Sequence, residues 1–245
     1  MLARERYIRH TSCFQGEKAR VMYKKSLFLG ILLIPVVLVS VFVVGNFWTT
    51  ETTNGTNTLR PVEIREYEGQ KLSSISDFRE NSIKGTQSID NESYRLVVTG
   101  LVNNEMEYTY DDVINNHQLF EKVVTLHCVE GWDVTILWEG VLVKDLIEEA
   151  GVDSRAKVVI FYAYDGYSTS LPLDYVVDND ILMAYKMNDV VLPPERGFPF
   201  QLVAESKLGY KWIKWVTEIE LSDDVNYRGF WESRGFSNDA DLGPR

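Results

Sequence analysis

The sequence predicts a mixed α+β domain, dominated by strands, behind one N-terminal membrane helix. Three observations carry this expectation. From residue 94 onward the apolar stretches are short and either alternate or run continuously apolar, as strands do. Helical patterns are few and short, and they do not alternate with strands as a parallel α/β fold requires. A single charge-free run, residues 26–50, stands apart from both.

That run comes first in the chain. Residues 1–25 carry seven Lys/Arg against Glu5 and Glu17. Against a formal total of −11, this +5 leaves −16 on the remaining 220 residues. The apolar centre of the run, 27–45, has 19 residues, about 28 Å as a helix and about the thickness of a bilayer core. A buried core helix of that length would show a polar stripe, and a signal peptide would end in a small-x-small cleavage site. This run shows no stripe and ends Gly-Asn-Phe-Trp. Pro35 is tolerated in a spanning helix, and Phe47 and Trp48 lie where an interfacial aromatic belt would. The expected organisation is a basic cytoplasmic segment over 1–25, a transmembrane anchor over 26–48, a polar linker over 49–58 (TTETTNGTNT within it) and one extracytoplasmic domain over 59–245.

Within that domain, 61–92 is polar and weakly patterned, a wrapping arm touching the core through Ile75, Phe78 and Ile83. YRLVVT, 94–99, reads as a strand ended by Gly100, 110–116 as a short helix, and KVVTLH, 122–127, as a strand. Residues 134–138 form another strand, and 143–150 a helix stopped by Gly151. KVVIFYAY, 157–164, is apolar on both faces and predicts a buried interior strand. Short strands follow at 181–186 and 200–204, and WIKWVTEIEL, 212–221, predicts a half-buried last strand.

The −11 balance excludes a general nucleic-acid binder, which needs a basic face. Two cysteines cannot make a disulfide framework or a Cys-only zinc site. Cys13 precedes the apolar run and Cys128 follows it, so on this topology they do not pair. Cys128 sits in LHCVEGWD, at a strand end opening into a glycine turn, where a thiolate is a soft metal ligand. The alternative is a buried, inert cysteine. No CxxC, CxxCH or HExxH occurs, and the chain has three histidines. A metal on Cys128 would therefore take its other ligands from a cofactor.

A second group of residues is cationic. LPPERGFP fixes Arg196 between prolines, and ESKLGYKWIKW places Lys207, Lys211 and Lys214 close together. A solvated basic patch and an anion site both remain open readings. Lys211 and Lys214 have opposite strand parity, so they face the same way only if the segment is irregular.

LHCVEGW, WEGVLVKDLIEEAG, YAYDGYSTSLPLD, MNDVVLPPERGFPFQLV, GYKWIKWVTEIEL and YRGFWESRGFS occur here in the order of the sulfite oxidase superfamily. The chain resembles these molybdopterin-dependent oxidoreductases over about residues 77–237. Its Cys-Val-Glu-x-Trp form is similar to the branch of periplasmic methionine sulfoxide reductase catalytic subunits. The resemblance implies a sulfite-oxidase-type mixed-sheet fold and a molybdenum-molybdopterin (Mo-pyranopterin) cofactor, with Cys128 as the protein's metal ligand. It implies that Arg196, Lys211, Trp212, Ile213 and Lys214 hold the pterin and its phosphate. Glu130 matches an acidic residue near the metal, with a catalytic part in proton supply. Arg79, Asn81 and Ser82 lie in DFRENSI, which resembles an arm contacting the pterin. Ala163 stands where that branch has a cofactor-contacting threonine, and Gln201 where the family carries arginine.

The expected function is membrane-anchored two-electron oxygen-atom transfer, as S- or N-oxide reduction. Sulfite-type oxidation and a non-catalytic binding module with a decayed site are the alternatives. The expected partners are a small-molecule oxo-acceptor or oxo-donor, the membrane through the N-terminal helix, and a separate membrane cytochrome or quinone-linked redox protein. No haem-binding pattern is present to carry electrons within the chain.

Overall fold

The structure is a computed structural model and describes residues 62–243. The expected basic segment, membrane span and linker, 1–25, 26–48 and 49–58, lie outside the described residues. Among the described residues no helix is long and apolar enough to cross a membrane.

The arm opens with a two-stranded hairpin, β1 (Glu66–Tyr67) and β2 (Gln70–Lys71), and a 3-10 turn at Ile75–Asp77. It is bound to the domain through polar contacts. Fully buried Asn188 donates its amide to Ser73 O (2.9 Å) and accepts from Leu137 N–H (3.1 Å). The Glu63 carboxylate accepts from the Ser74 hydroxyl (2.5 Å) and Ile75 N–H (2.8 Å).

Ten further strands form two sheets. They are β3 (Leu96–Gly100), β4 (Met106–Tyr108), β5 (Phe120–His127), β6 (Asp133–Leu142), β7 (Val158–Ala163), β8 (Ser168–Pro172), β9 (Leu182–Met187), β10 (Val190–Val191), β11 (Gln201–Val203) and β12 (Val216–Ser222). One sheet runs β4-β3-β12-β7-β8. Its β12–β3 pairing is parallel and the rest antiparallel, so the sheet is mixed. The other runs β10-β9-β6-β5, with β11 also paired to β9. Three short helices connect them: α1 (Tyr110–Asn116), α2 (Val143–Ala150) and α3 (Leu173–Asp178). Thr109 and Asp112 close a capping box at the start of α1, and Gly151 ends α2 in the left-handed region (φ 74°).

One cluster of buried side chains draws on both sheets, including Val98, Phe161 and Ile219 from the first and Ile136, Val141 and Leu182 from the second. The expected interior strand is β7, paired on both edges and buried at nearly every position. Residues 168–178, which give no clear period in sequence and carry no expectation, form β8 and α3. One expectation needs correction. The last strand begins at Val216 rather than at Trp212. A 3-10 turn at Gly209–Lys211 and a positive φ at Trp215 (53°) keep 212–215 out of the ladder.

Candidate functional site

The site grows from the β5–β6 hairpin. Its last cross-strand pair is His127–Asp133, and the five residues between close on themselves. Cys128 N–H donates to Trp132 O (2.9 Å), and Gly131 N–H donates to Cys128 O (3.1 Å). Gly131 takes φ +83°, a conformation that side chains resist. His127 also bridges Leu208 in parallel, which brings the Gly209–Lys211 turn alongside. A Cβ on Gly209 would lie 3.5 Å from Cys128 Cα.

These segments enclose a cavity of about 440 Å³. Its lining includes Arg79, Asn81 and Ser82 of the arm, Cys128 and Glu130 of the loop, Arg196, and Trp212, Ile213 and Lys214. Residues that the sequence had spread over 136 positions thus meet around one thiol. Burial pushes the half-buried Cys128 thiol up in pKa; Glu130 and Val129 N–H groups and Arg79 oppose this less strongly. The Asn81 amide nitrogen approaches its sulfur at 4.0 Å. Glu130 is exposed, and the Trp132 indole N–H (3.1 Å) holds its carboxyl below the usual range, helped by Asn81 and Arg79.

Arg196 and Lys214 form the cationic part. Arg196 ends a 3-10 turn begun by Pro194, and its guanidinium donates to Phe78 O (3.2 Å) and Arg79 O (3.4 Å). It stacks over the Phe78 ring at 4.9 Å, with Glu80 at 4.0 Å. Its Nε is buried and has no acceptor within the protein. Lys214 Nζ reaches Glu80 Oε1 (3.1 Å) and Glu195 O (3.2 Å) and lies over the Trp215 ring. Burial lowers the pKa of both cations, against the pull of Glu80.

Three sequence-named residues do not line the cavity. Lys207 Nζ pairs with the Asp241 carboxylate instead. Ala163 is buried at the end of β7. Lys211 turns away into the core, where its Nζ pairs with Glu232 Oε1 at 2.6 Å and donates to Ser170 O at 2.9 Å. The irregular 209–215 segment sends Lys211 and Lys214 to different partners. Trp212 and Trp215 are core side chains, 4% and 1% exposed, that also line the cavity. Asp165, Tyr167, Tyr210, Trp231 and Phe236 line it too and were not singled out in sequence. The signal for the last two was the aromatic density of 227–236, with four aromatics in ten residues.

Residues 83–231 match the family described as the oxidoreductase molybdopterin binding domain. The chain belongs to that family. It is 36% identical over 148 residues to an uncharacterized oxidoreductase of Bacillus subtilis, YuiH, covering 60% of this chain and 74% of that one. It is 32% identical over 152 residues to YedZ1 of Azospira oryzae, named for a protein-methionine-sulfoxide reductase subunit, covering 62% and 57%. A nitrate reductase of Nicotiana tabacum is 27% identical over 177 residues, where the match spans 58% of this chain and only 20% of the plant enzyme. Among solved structures, the sulfane dehydrogenase SoxCD of Paracoccus pantotrophus aligns with a TM-score of 0.56 and 25% identity, over 59% of this chain and 42% of that one.

The protein is therefore a molybdopterin-binding oxidoreductase of the sulfite oxidase family. The cavity fits that cofactor. Among the described residues no group of three His, Cys, Asp or Glu side chains could hold a metal. A metal bound by Cys128 would thus depend on ligands the cofactor brings. The orphan Nε of Arg196 is a buried donor that an anionic group would satisfy, and Lys214 lies against the same Glu80.

Proposed function

We propose that this molybdopterin oxidoreductase reduces neutral or zwitterionic S- or N-oxides. The observation that carries this reading is that each cation lining the cavity faces a carboxylate. Arg196 and Lys214 share Glu80, and Arg79 lies in the field of Glu130. Asp165, buried in the same lining, adds a further acidic group. These carboxylates weaken the pull of the cavity's cations on a small anion such as sulfite, and the net −15 of residues 59–245 repels it. A neutral oxide suffers no such penalty.

In this reading Cys128 supplies the protein's sulfur ligand, and Arg196 and Lys214 hold the anionic end of the cofactor. The bound cofactor supplies oxygen-atom exchange coupled to two electrons. Asn81 orients the cysteine sulfur. Glu130 exchanges protons with water at its exposed carboxylate, delivering them to the oxygen that leaves the substrate. We further infer that the domain is held outside the cytoplasmic membrane by the 26–48 span. Its charge-free length and basic flank support this, as does a tether of polar residues after it. Electrons would then come from a separate membrane cytochrome or quinone-linked protein.

The test is metal analysis with electron paramagnetic resonance on protein made in a molybdenum-cofactor-competent host. About one molybdenum per chain, lost in Cys128→Ser, is expected. A sulfoxide turnover rate well above that for sulfite supports the substrate assignment, and the reverse order overturns it. Carbonate extraction and protease accessibility in spheroplasts check the anchor and its orientation.

A further inference from the structure

The cavity has a second set of lining side chains, aromatic and uncharged, for which the chemistry above has no use. After β12 the chain comes back to the cavity over 227–242. Phe236 N–H donates to Trp231 O (3.2 Å) around Gly235, whose φ is +101°, and the two rings meet with centroids 5.3 Å apart. Tyr210, one residue from Gly209 beside Cys128, meets Phe236 edge-on at 5.3 Å and donates its hydroxyl to Ser237 O (2.8 Å). The turn beside the cysteine thus leads through Tyr210 to these rings. Trp231 and Phe236 line the cavity yet remain 38% and 36% exposed. Large rings left half in water at a cavity mouth do little for the core and mark a contact surface.

The wall they form is fixed in place. Trp231 is followed directly by Glu232, whose carboxylate is fully buried against Lys211 and the Thr169 hydroxyl. Phe230 N–H is bonded to Ser168 O (2.9 Å), and the Phe230 ring meets Trp231 edge-to-face at 5.3 Å. Arg234, the cation nearest in sequence, lies over the Phe230 ring and donates to Phe230 O. An anchored aromatic wall selects by shape and polarity, since it cannot move aside or neutralise a charge.

We propose that Trp231 and Phe236 determine specificity at this site by receiving the apolar body of the substrate. The enzyme then selects neutral oxides bearing a bulky hydrocarbon or aromatic substituent over small ones. This rests on the oxide-reductase reading above and adds residues and a preference to it.

The experiment compares methyl p-tolyl sulfoxide with dimethyl sulfoxide, using molybdenum-loaded enzyme and reduced viologen as the electron donor. In Trp231→Ala and Phe236→Ala, the kcat/KM ratio favouring the aryl substrate falls about tenfold, mainly through a higher KM. Trp231→Phe restores most of it. An equal loss on both substrates overturns the proposal. So does a fall in molybdenum or releasable pterin per chain, which would place the rings against the cofactor instead. Should the loaded wild type reduce neither sulfoxide, the oxide-reductase reading fails. Calorimetry with methyl p-tolyl sulfone and dimethyl sulfone then decides the wall by itself. Tighter aryl binding that disappears in Trp231→Ala supports it, and equal binding of both sulfones overturns it.

Discussion

Lys211 Nζ lies 2.6 Å from Glu232 Oε1 with both side chains fully removed from solvent. The pair joins the turn beside Cys128 to the segment that carries Trp231. Thr169 donates to the same Glu232 oxygen and Ser170 O accepts from Lys211, whereas Glu232 Oε2 is buried without a hydrogen-bond partner. Such a pair contributes little net stability compared with apolar residues, but removing one partner strands a charge. Lys211→Met should therefore lower unfolding free energy by about 3–5 kcal/mol. The double variant Lys211→Met with Glu232→Gln should recover a large part of that loss. Urea midpoints of the three proteins check this, and equal stability of single and double variants would sink it.

That pair also shows what the sequence could and could not reveal. Alternation and glycine stops located β3, β5, α1, α2 and β7, because local patterning and capping decide such elements. Cys128 stood out because it was a lone thiol at a strand end beside a glycine turn. Lys211 was read together with Lys214 because both lie in one cationic stretch. Its partner Glu232 is 21 residues later, and only the tertiary path of the tail brings them together. Glu80 is illegible for the same reason: a carboxylate in a polar arm gives no local sign that it will meet Arg196 and Lys214. β8 was missed because STSLP is mostly small and polar, although three of its five positions are buried.

Gly229 is where the tail meets β8. A Cβ there would sit 2.2 Å from Ser168 O and 2.8 Å from Glu232 Oε2. The carbonyl belongs to the sheet and cannot yield, so the tail must lift. Gly229→Ala should destabilise the protein by about 2 kcal/mol or more. It should also expose Arg228 and Arg234 to trypsin within the folded state. Limited proteolysis reads this directly, and a tail as protected as in the wild type would contradict it.

The arm should be acid-sensitive through Glu63. Burial alone would raise its pKa. Hydrogen bonds from Ser74, Ile75 N–H and Asn188, with Arg65 nearby, outweigh burial and bring it below the usual glutamate range. A lowered folded pKa means that the unfolded chain binds the proton more readily. This stabilisation is thus present above the unfolded value of about 4.3 and is lost as pH falls through the folded one. Hydrogen exchange over 63–77 should rise on acidification before the sheets open. Glu63→Gln should lose about 1–2 kcal/mol at pH 7 and flatten that dependence. An unchanged acid response in the variant would exclude Glu63 as its source.

Cys128 offers a readout that needs no substrate. Its thiol is pushed up mainly by burial, and the nearby Glu130 charge adds to this. A raised pKa places the group's favourable contribution below the free-thiol value of about 8.5, and it is lost as pH rises through the folded pKa. Cofactor-free protein at pH 7–8 should therefore hold less thiolate than a free cysteine and react more slowly with iodoacetamide. The rate should climb only beyond the ordinary thiol range. Coordinating a metal at this sulfur releases the proton, so cofactor uptake should strengthen as pH rises through neutrality. Once loaded, the sulfur is committed and alkylation should stop. Mass-spectrometric alkylation rates across pH, with and without cofactor, test both statements. Rapid modification of Cys128 at pH 7 in cofactor-free protein would show that burial does not govern the thiol.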